Sequence, residues 1–310
     1  MLRRLPLYFV FLLSSLPVVS QANPNRVAIL RWYSTNSTAT IKVGKAPWGA
    51  AFDGSSIWVS NFADNTVTKV RASDGQRLGT FKTGLGPTAM AFDGQHVWVA
   101  NSGSNSASKI RARDGGLVGA FSVGDTPDGI AFDGENIWVA NGFGNSVTKL
   151  RGRDGHVLGT FPVGNMPSCV AFDGANVWVN NYAAGTVTKL RASDGAKLRE
   201  FPAGAGAEAI AFDGENMWIT NSVGNSVTKV RAEDGAVLGT FPVGISPSGV
   251  AFDGESIWVT NYGSDNVMKL RISDGAILGT FPTGNEPLIP AFDGANIWVP
   301  NSEDNSVSKM

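Results

Sequence analysis

AFDGENIWVAN, residues 131–141, decides the fold because the chain writes nearly the same line seven times. Its Asp133–Gly134 pair recurs as Asp53–Gly54, Asp93–Gly94, Asp173–Gly174, Asp213–Gly214, Asp253–Gly254 and Asp293–Gly294, always in steps of 40 residues without insertion or deletion. A fixed period of this length marks a repeat architecture. Each period holds four short strand-like runs between turn signals, for example SGVAFD, SIWVTN, NVMKLR and ILGTFPTG within residues 248–284. Asp-Gly pairs join the first run to the second and the third to the fourth. Glycine there accepts the positive φ that tight hairpins need. No stretch sustains a 3.6-residue apolar period, so helix should be nearly absent. Four antiparallel strands repeated seven times predict an all-β, seven-bladed β-propeller over residues 38–310. A β-solenoid is the second option, but its coils are usually shorter and lack paired hairpin turns.

Every unit carries a Trp in its second strand, from Trp58 to Trp298, and a Phe in its first, from Phe52 to Phe292. Six carry a Phe in the fourth strand, from Phe81 to Phe281, and Ile41 takes that place in the seventh. These aromatics read as the core between stacked blades and not as a cofactor box. The last unit stops at NSVSKM, after its third strand. TATIKVG, residues 38–44, is in phase with GTFKTG and predicts an N-terminal strand that completes the C-terminal blade, leaving no open edge. NRVAILR, residues 25–31, competes with 305–310 for the third-strand place. Residues 305–310 keep the pattern better, and the N-terminal copy lacks its Asp-Gly turn.

Residues 1–22 read as a secretory signal peptide: a basic MLRRL start, an apolar run too short to span a bilayer comfortably, and the small residues Ser20 and Ala22 near the expected cleavage point. Residues 23–37 form a linker, and the mature chain is expected to be a monomer, secreted or periplasmic, with no further membrane-spanning stretch. A net charge of −1 argues against a nucleic-acid partner. The single Cys169 excludes an internal disulfide and occupies a place that other units fill with Gly49, Ala89, Gly129, Ala209, Gly249 and Ile289, so it reads as a small buried filler.

The phrase AFDGxxIWVxN…NSVTKLRxxDGxxLGTFPVG resembles the YVTN/NHL-type propellers of bacteria and is most similar among them to the streptogramin (virginiamycin B) lyase-like propellers. The resemblance covers residues 38–310 and implies fold more than activity. In the lyases it implies catalytic histidines after the Pro that precedes the first strand of certain blades. Here those positions hold Trp48, Thr88, Asp128, Ser168, Glu208, Ser248 and Leu288, and none is His. The Asn ending every second strand (Asn61 to Asn301) reads as a turn cap, and His96 and His156 as tolerant turn positions.

Seven copies form an internal alignment. The Asp-Gly turns stay constant, whereas the second-to-third loops and the loops between units vary. In a propeller those two variable classes share one face, as expected if that face meets a ligand. Its loops carry Asp64, Asp125, Asp128, Glu208, Asp265, Glu286, Glu303 and Asp304 against one base, Lys45. Trp48, Phe62, Phe143, Tyr182 and Tyr262 punctuate the acids. Acid plus aromatic suits a cationic protein or peptide, an amine, another small ligand or a stacked glycan. Trp48, Asp128 and Glu208 are expected near the channel mouth. No cofactor is predicted. Two carboxylates per loop fall short of the six to eight oxygens Ca²⁺ prefers, which leaves Ca²⁺ as a minor option. The leading expectation is a non-enzymatic binding platform. The alternatives are lyase or hydrolase chemistry at the mouth, which requires a raised pKa for Asp128 or Glu208, and a lectin with sites between blades.

Overall fold

The computed structural model describes residues 39–310. The signal peptide, the linker and the 25–31 competitor lie outside the described residues. Seven four-stranded antiparallel sheets follow one another. Blade 1 runs Pro47–Phe52, Ser56–Asn61, Thr66–Arg71 and Arg77–Lys82, and five further blades repeat it in register down to Ile277–Pro282. First strands of neighbouring blades meet around the axis, so the sheets radiate from a central channel. Blade 7 takes Ala291–Phe292, Ile297–Asn301 and Ser306–Lys309 from the C-terminus and Ala39–Lys42 as its outer strand, with Ile41 opposite Val307. The third-strand place thus belongs to Ser306–Lys309. The first strand of blade 7 is short because Pro290 offers no backbone N–H to the ladder.

The repeated words have mechanical meanings. Asp53 Oδ1 accepts the backbone N–H of Ser55 and Ser56, and Oδ2 accepts the Trp58 indole N–H at 2.8 Å. Turn and core are therefore clipped together by one carboxylate. Burial pushes the Asp53 carboxyl up, but the bonds from Trp58, Ser55 and Ser56 outweigh it and hold it below the usual range. The same clip recurs in all seven blades. His96 is less idle than a tolerant turn residue: its Nδ1 lies 3.2 Å from Asp93 Oδ2, where Asn136 and Asn176 place an amide.

The Lys of the TKLR-like third strand is buried in blades 1 to 5 and half-buried in the last two. Lys69 Nζ sits 5.1 Å from the Trp58 ring centroid and donates to the Ala112 carbonyl of the next blade at 2.6 Å. Lys109, Lys149, Lys189 and Lys229 repeat this reach, and Lys309 closes the ring onto Ala72. Fourth-strand phenylalanines pack against the Trp of their own blade, as Phe81 does on Trp58 with ring centroids 5.5 Å apart and tilted by 38°. All but the buried Phe201 remain half-buried, whereas the Trp is fully buried in six blades. Gly115 needs to be glycine twice over: its φ is +75°, and the Phe81 ring of the preceding blade occupies the space of any Cβ. At the seam Ile41 covers Gly75 in the same manner.

Candidate functional site

The variable loops do share one face. Phe62 and Ala63, after the second strand, donate backbone N–H groups to Ala46 and Lys45 in the loop between units. The constant turns meet on the opposite face, where Ala72 donates to Ser55. The recurrent Asn is a buried tie more than an exposed cap. Asn61 Oδ1 accepts Gly44 N–H at 2.9 Å, while its amide donates to Thr66 and Thr68.

A register shift in the first strand aims residues at the channel. Pro47 pairs with Asn61 and Ala50 with Val59, so Trp48 and Gly49 together face Ser60 alone. Such a bulge re-aims a side chain. It recurs in the first strands of blades 2 to 6. Trp48, Asp128 and Glu208 are bulge residues, as are Thr88, Ser168 and Ser248.

A cavity of about 330 Å³ opens at the mouth on the variable face. Trp48, Tyr182, Glu208 and Tyr262, four of the predicted residues, line it together. Phe62 backs Trp48 with ring centroids 5.5 Å apart. Five further lining residues have no binding role in the sequence reading: Ser222, Ser246, Ser248, Leu288 and Ser302. Ser248 and Leu288 occupy the repeat position of Trp48, while Ser222 and Ser302 occupy that of Tyr182 and Tyr262. Two positions of the period thus supply most of the wall, a signal the alignment contained.

Asp128, on the bulge of blade 3, is not among the residues lining the cavity but is near enough for the charge on Glu208 to act on it. Its carboxyl makes no hydrogen bond to another described residue. Both side chains keep some contact with the channel yet are surrounded by protein. Burial, and secondarily the Glu208 charge, push the Asp128 carboxyl up to about 7. Burial raises Glu208 to about 7 as well, against a lowering hydrogen bond from Ser222 Oγ at 3.2 Å. Between them Cys169 is an inert filler: burial first, then the nearby acids, push its thiol up to about 11. Asn180, fully buried behind the bulge of blade 4, has neither amide atom paired among the described residues. Its counterpart Thr220 receives Ala209 N–H at 2.9 Å.

The remaining predicted acids do not form one anionic surface. Asp64 and Asp304 each accept a loop N–H at 2.8 Å, from Lys45 and Asn285. Asp265, itself in the left-handed region at φ +50°, caps Glu286 N–H at 2.9 Å, as Asn65 caps Gly86. These three hold loops in shape. Glu286 lies near the Tyr262 hydroxyl. Burial first, then the neighbouring Glu286 and the charge of Glu303, push that phenol up to about 12. Asp125 is exposed and accepts from Asn105, outside the cavity. Phe143 is 64% exposed and one residue out of step with the aromatic position, so it stands clear of the mouth. Lys42 joins Lys45 as a base on this face, its ammonium bound to the Asp304 carbonyl at 2.9 Å. Among the described residues no group of three or more His, Cys, Asp or Glu side chains gathers as metal ligands would.

No protein-family model and no curated protein matches the chain. Solved structures resemble it. Hydrazine synthase of Kuenenia stuttgartiensis is 19% identical, with a TM-score of 0.78 over 87% of this chain and 96% of that one. Virginiamycin B lyase from Staphylococcus aureus is 19% identical, with a TM-score of 0.75 over 88% and 98%. U3-55K is 14% identical, with a TM-score of 0.77 over 88% and 97%. At these identities the likeness is one of fold, and it places the chain beside the lyase-type propellers in architecture: seven blades, closed by an N-terminal strand.

Proposed function

We propose that the protein is an exported, non-enzymatic binding platform that captures a cationic ligand or segment at the channel mouth. The observation that carries this reading is the single cavity in which Trp48, Tyr182, Tyr262 and Glu208 converge on the variable face. Ring faces and a carboxyl attract a cation, and no basic side chain lines the cavity to oppose it. The site is narrower than a whole acidic face, because Asp64, Asp265 and Asp304 are engaged in loop backbone. Export rests on the pattern of residues 1–22, and secretion or periplasmic residence follows from it.

The test is thermal unfolding of the mature chain with amines, basic peptides and oligosaccharides, beside Trp48→Ala and Glu208→Gln. The reading requires a cationic compound that stabilises the parent and neither variant. Stabilisation by oligosaccharides alone would favour a lectin, and equal responses from all three proteins would move the site elsewhere.

A second reading has one specific observation in its favour. Asp128 and Glu208 both sit near 7, where a carboxyl can serve as general acid or base. Lyase or hydrolase turnover with a bell-shaped pH profile, abolished by Asp128→Asn, would establish it.

A further inference from the structure

We infer that residues 31–37, the stretch leading into the closing strand, fold back onto a slot between blades 6 and 7 and latch it, a backbone carbonyl of this arm being taken by Lys269. The slot opens toward the constant turns, so the latch is independent of the mouth cavity.

The slot is defined by what the other joints hold there. Five third-strand lysines, from Lys69 to Lys229, donate to a carbonyl 43 residues further on, in the hairpin turn of the next blade. The residue giving that carbonyl often shares the core of the preceding Trp, as Ala112 does with Trp58 and Ala72 with Trp298. A glycine of the same turn lies under the fourth-strand aromatic of the preceding blade, as Gly275 lies under Phe241. From Lys269 the same step leads past Met310. Its ammonium lies 4.9 Å from the Trp258 ring centroid and 3.2 Å from Asp253, and no carbonyl answers it among the described residues. Lys269 is 28% exposed, against 11% for Lys69. Trp258 is the one second-strand Trp not fully buried, and no turn glycine of a following blade lies under Phe281. Donor, ring face and phenyl are thus open together. A segment that brings a carbonyl and apolar surface fits them, because an ammonium has three N–H donors and Asp253 occupies one side only.

The chain supplies such a segment at that place. The closing strand begins with Ala39 opposite Lys309, as Gly279 stands opposite Lys269. In the complete hairpins the carbonyl donor comes seven residues before this point, as Ala72 precedes Gly79. Seven residues before Ala39 is Trp32, within the RWYSTNST of residues 31–38. The arm therefore has the length to bring its Trp32 carbonyl to Lys269, and Trp32 and Tyr33 offer rings to Trp258 and Phe281. Thr35 stands where the turns carry glycine, so the arm crosses the slot on a wider path than a tight hairpin.

Lysine labelling of the mature chain with an amine-reactive ester, followed by mass spectrometry, tests this. Lys269 should react as slowly as buried Lys189 and at least about tenfold more slowly than exposed Lys82. Replacing residues 31–37 by a Gly-Ser stretch of equal length should quicken Lys269 at least about fivefold and leave Lys189, the internal report on intact blades, unchanged. Lys269 reacting as fast as Lys82 in the parent overturns the latch. So does equal protection of Lys269 in parent and replacement, or protection that grows with protein concentration, which assigns the slot to a second copy. If the replacement also exposes Lys189, photo-crosslinking decides: p-benzoylphenylalanine in place of Trp32 should link within one chain to the segment carrying Trp258 or Lys269, and links elsewhere, between chains or absent overturn the inference.

Discussion

Asp128→Asn is expected to stabilise the propeller in alkaline solution and to change little in acid. The Asp128 carboxyl rises from 3.8 to about 7, through burial first and the charge of Glu208 second. A carboxyl whose pKa is raised by folding holds its proton more tightly in the folded chain, so protons favour folding in that range. Below about pH 4 it is protonated in both states and contributes nothing. Between 4 and 7 the unfolded chain ionises it first and a penalty grows; above 7 the penalty is complete. At ~1.4 kcal/mol per pH unit the interval amounts to about 4 kcal/mol, an upper bound because channel water screens part of it. Asparagine keeps the shape and removes the charge. Urea unfolding of parent and variant at about pH 5 and about pH 8.5 reads the difference directly. The variant should gain roughly 1–4 kcal/mol more at the higher pH, with unchanged m-value. Glu208→Gln should behave alike, and the double variant should gain less than the sum, since the two carboxyls interact. An equal effect of Asp128→Asn at both pH values would refute the reasoning, because a packing change has no pH dependence.

Asp133→Ala removes one acceptor from the Trp138 indole and from the N–H groups of Glu135 and Asn136, and should cost about 3 kcal/mol in urea unfolding. Lys149→Met keeps the stem over Trp138 but leaves the Ala192 carbonyl without its ammonium, and about 1–2 kcal/mol should be lost by the same measurement. Asn180→Thr replaces an unpaired buried amide by the residue found at Thr220 and should stabilise by about 1 kcal/mol, seen as a raised melting temperature. Deleting residues 39–42 strips the outer strand from Ser306–Lys309, and the open edge should convert a monomeric elution profile into aggregates.

The blades were legible in the sequence because one line recurs with one period, and because Asp-Gly pairs and Trp mark every unit at the same place. The closing strand was legible because TATIKVG keeps phase with GTFKTG. What the repeated words do was less visible. Nothing in AFDGENIWVAN says that Asp133 grips Trp138, since the bond forms only when the hairpin folds back on itself. The acidic face misled for a related reason. Composition counts Asp64, Asp265 and Asp304 as free charge, whereas each accepts backbone N–H from a loop distant in sequence. The mouth was half legible: Trp48, Asp128 and Glu208 share a repeat position, but the bulge that aims them appears only in the strand register.

The lysine that crosses from six of the seven blades to the next gives the ring a direction of travel. Lys309 meets Ala72 as Lys69 meets Ala112, so the junction that joins the two chain ends is built from the same contacts as an interior one. Lys269 alone makes no such bond among the described residues and pairs with Asp253 of its own blade at 3.2 Å, so the joint between blades 6 and 7 is the least gripped. Circular permutants that join the termini through a short linker and begin at another loop between units should assemble the same wheel. Their relative resistance to being pulled apart would then depend on which blade carries the grips, not on where the chain happens to start.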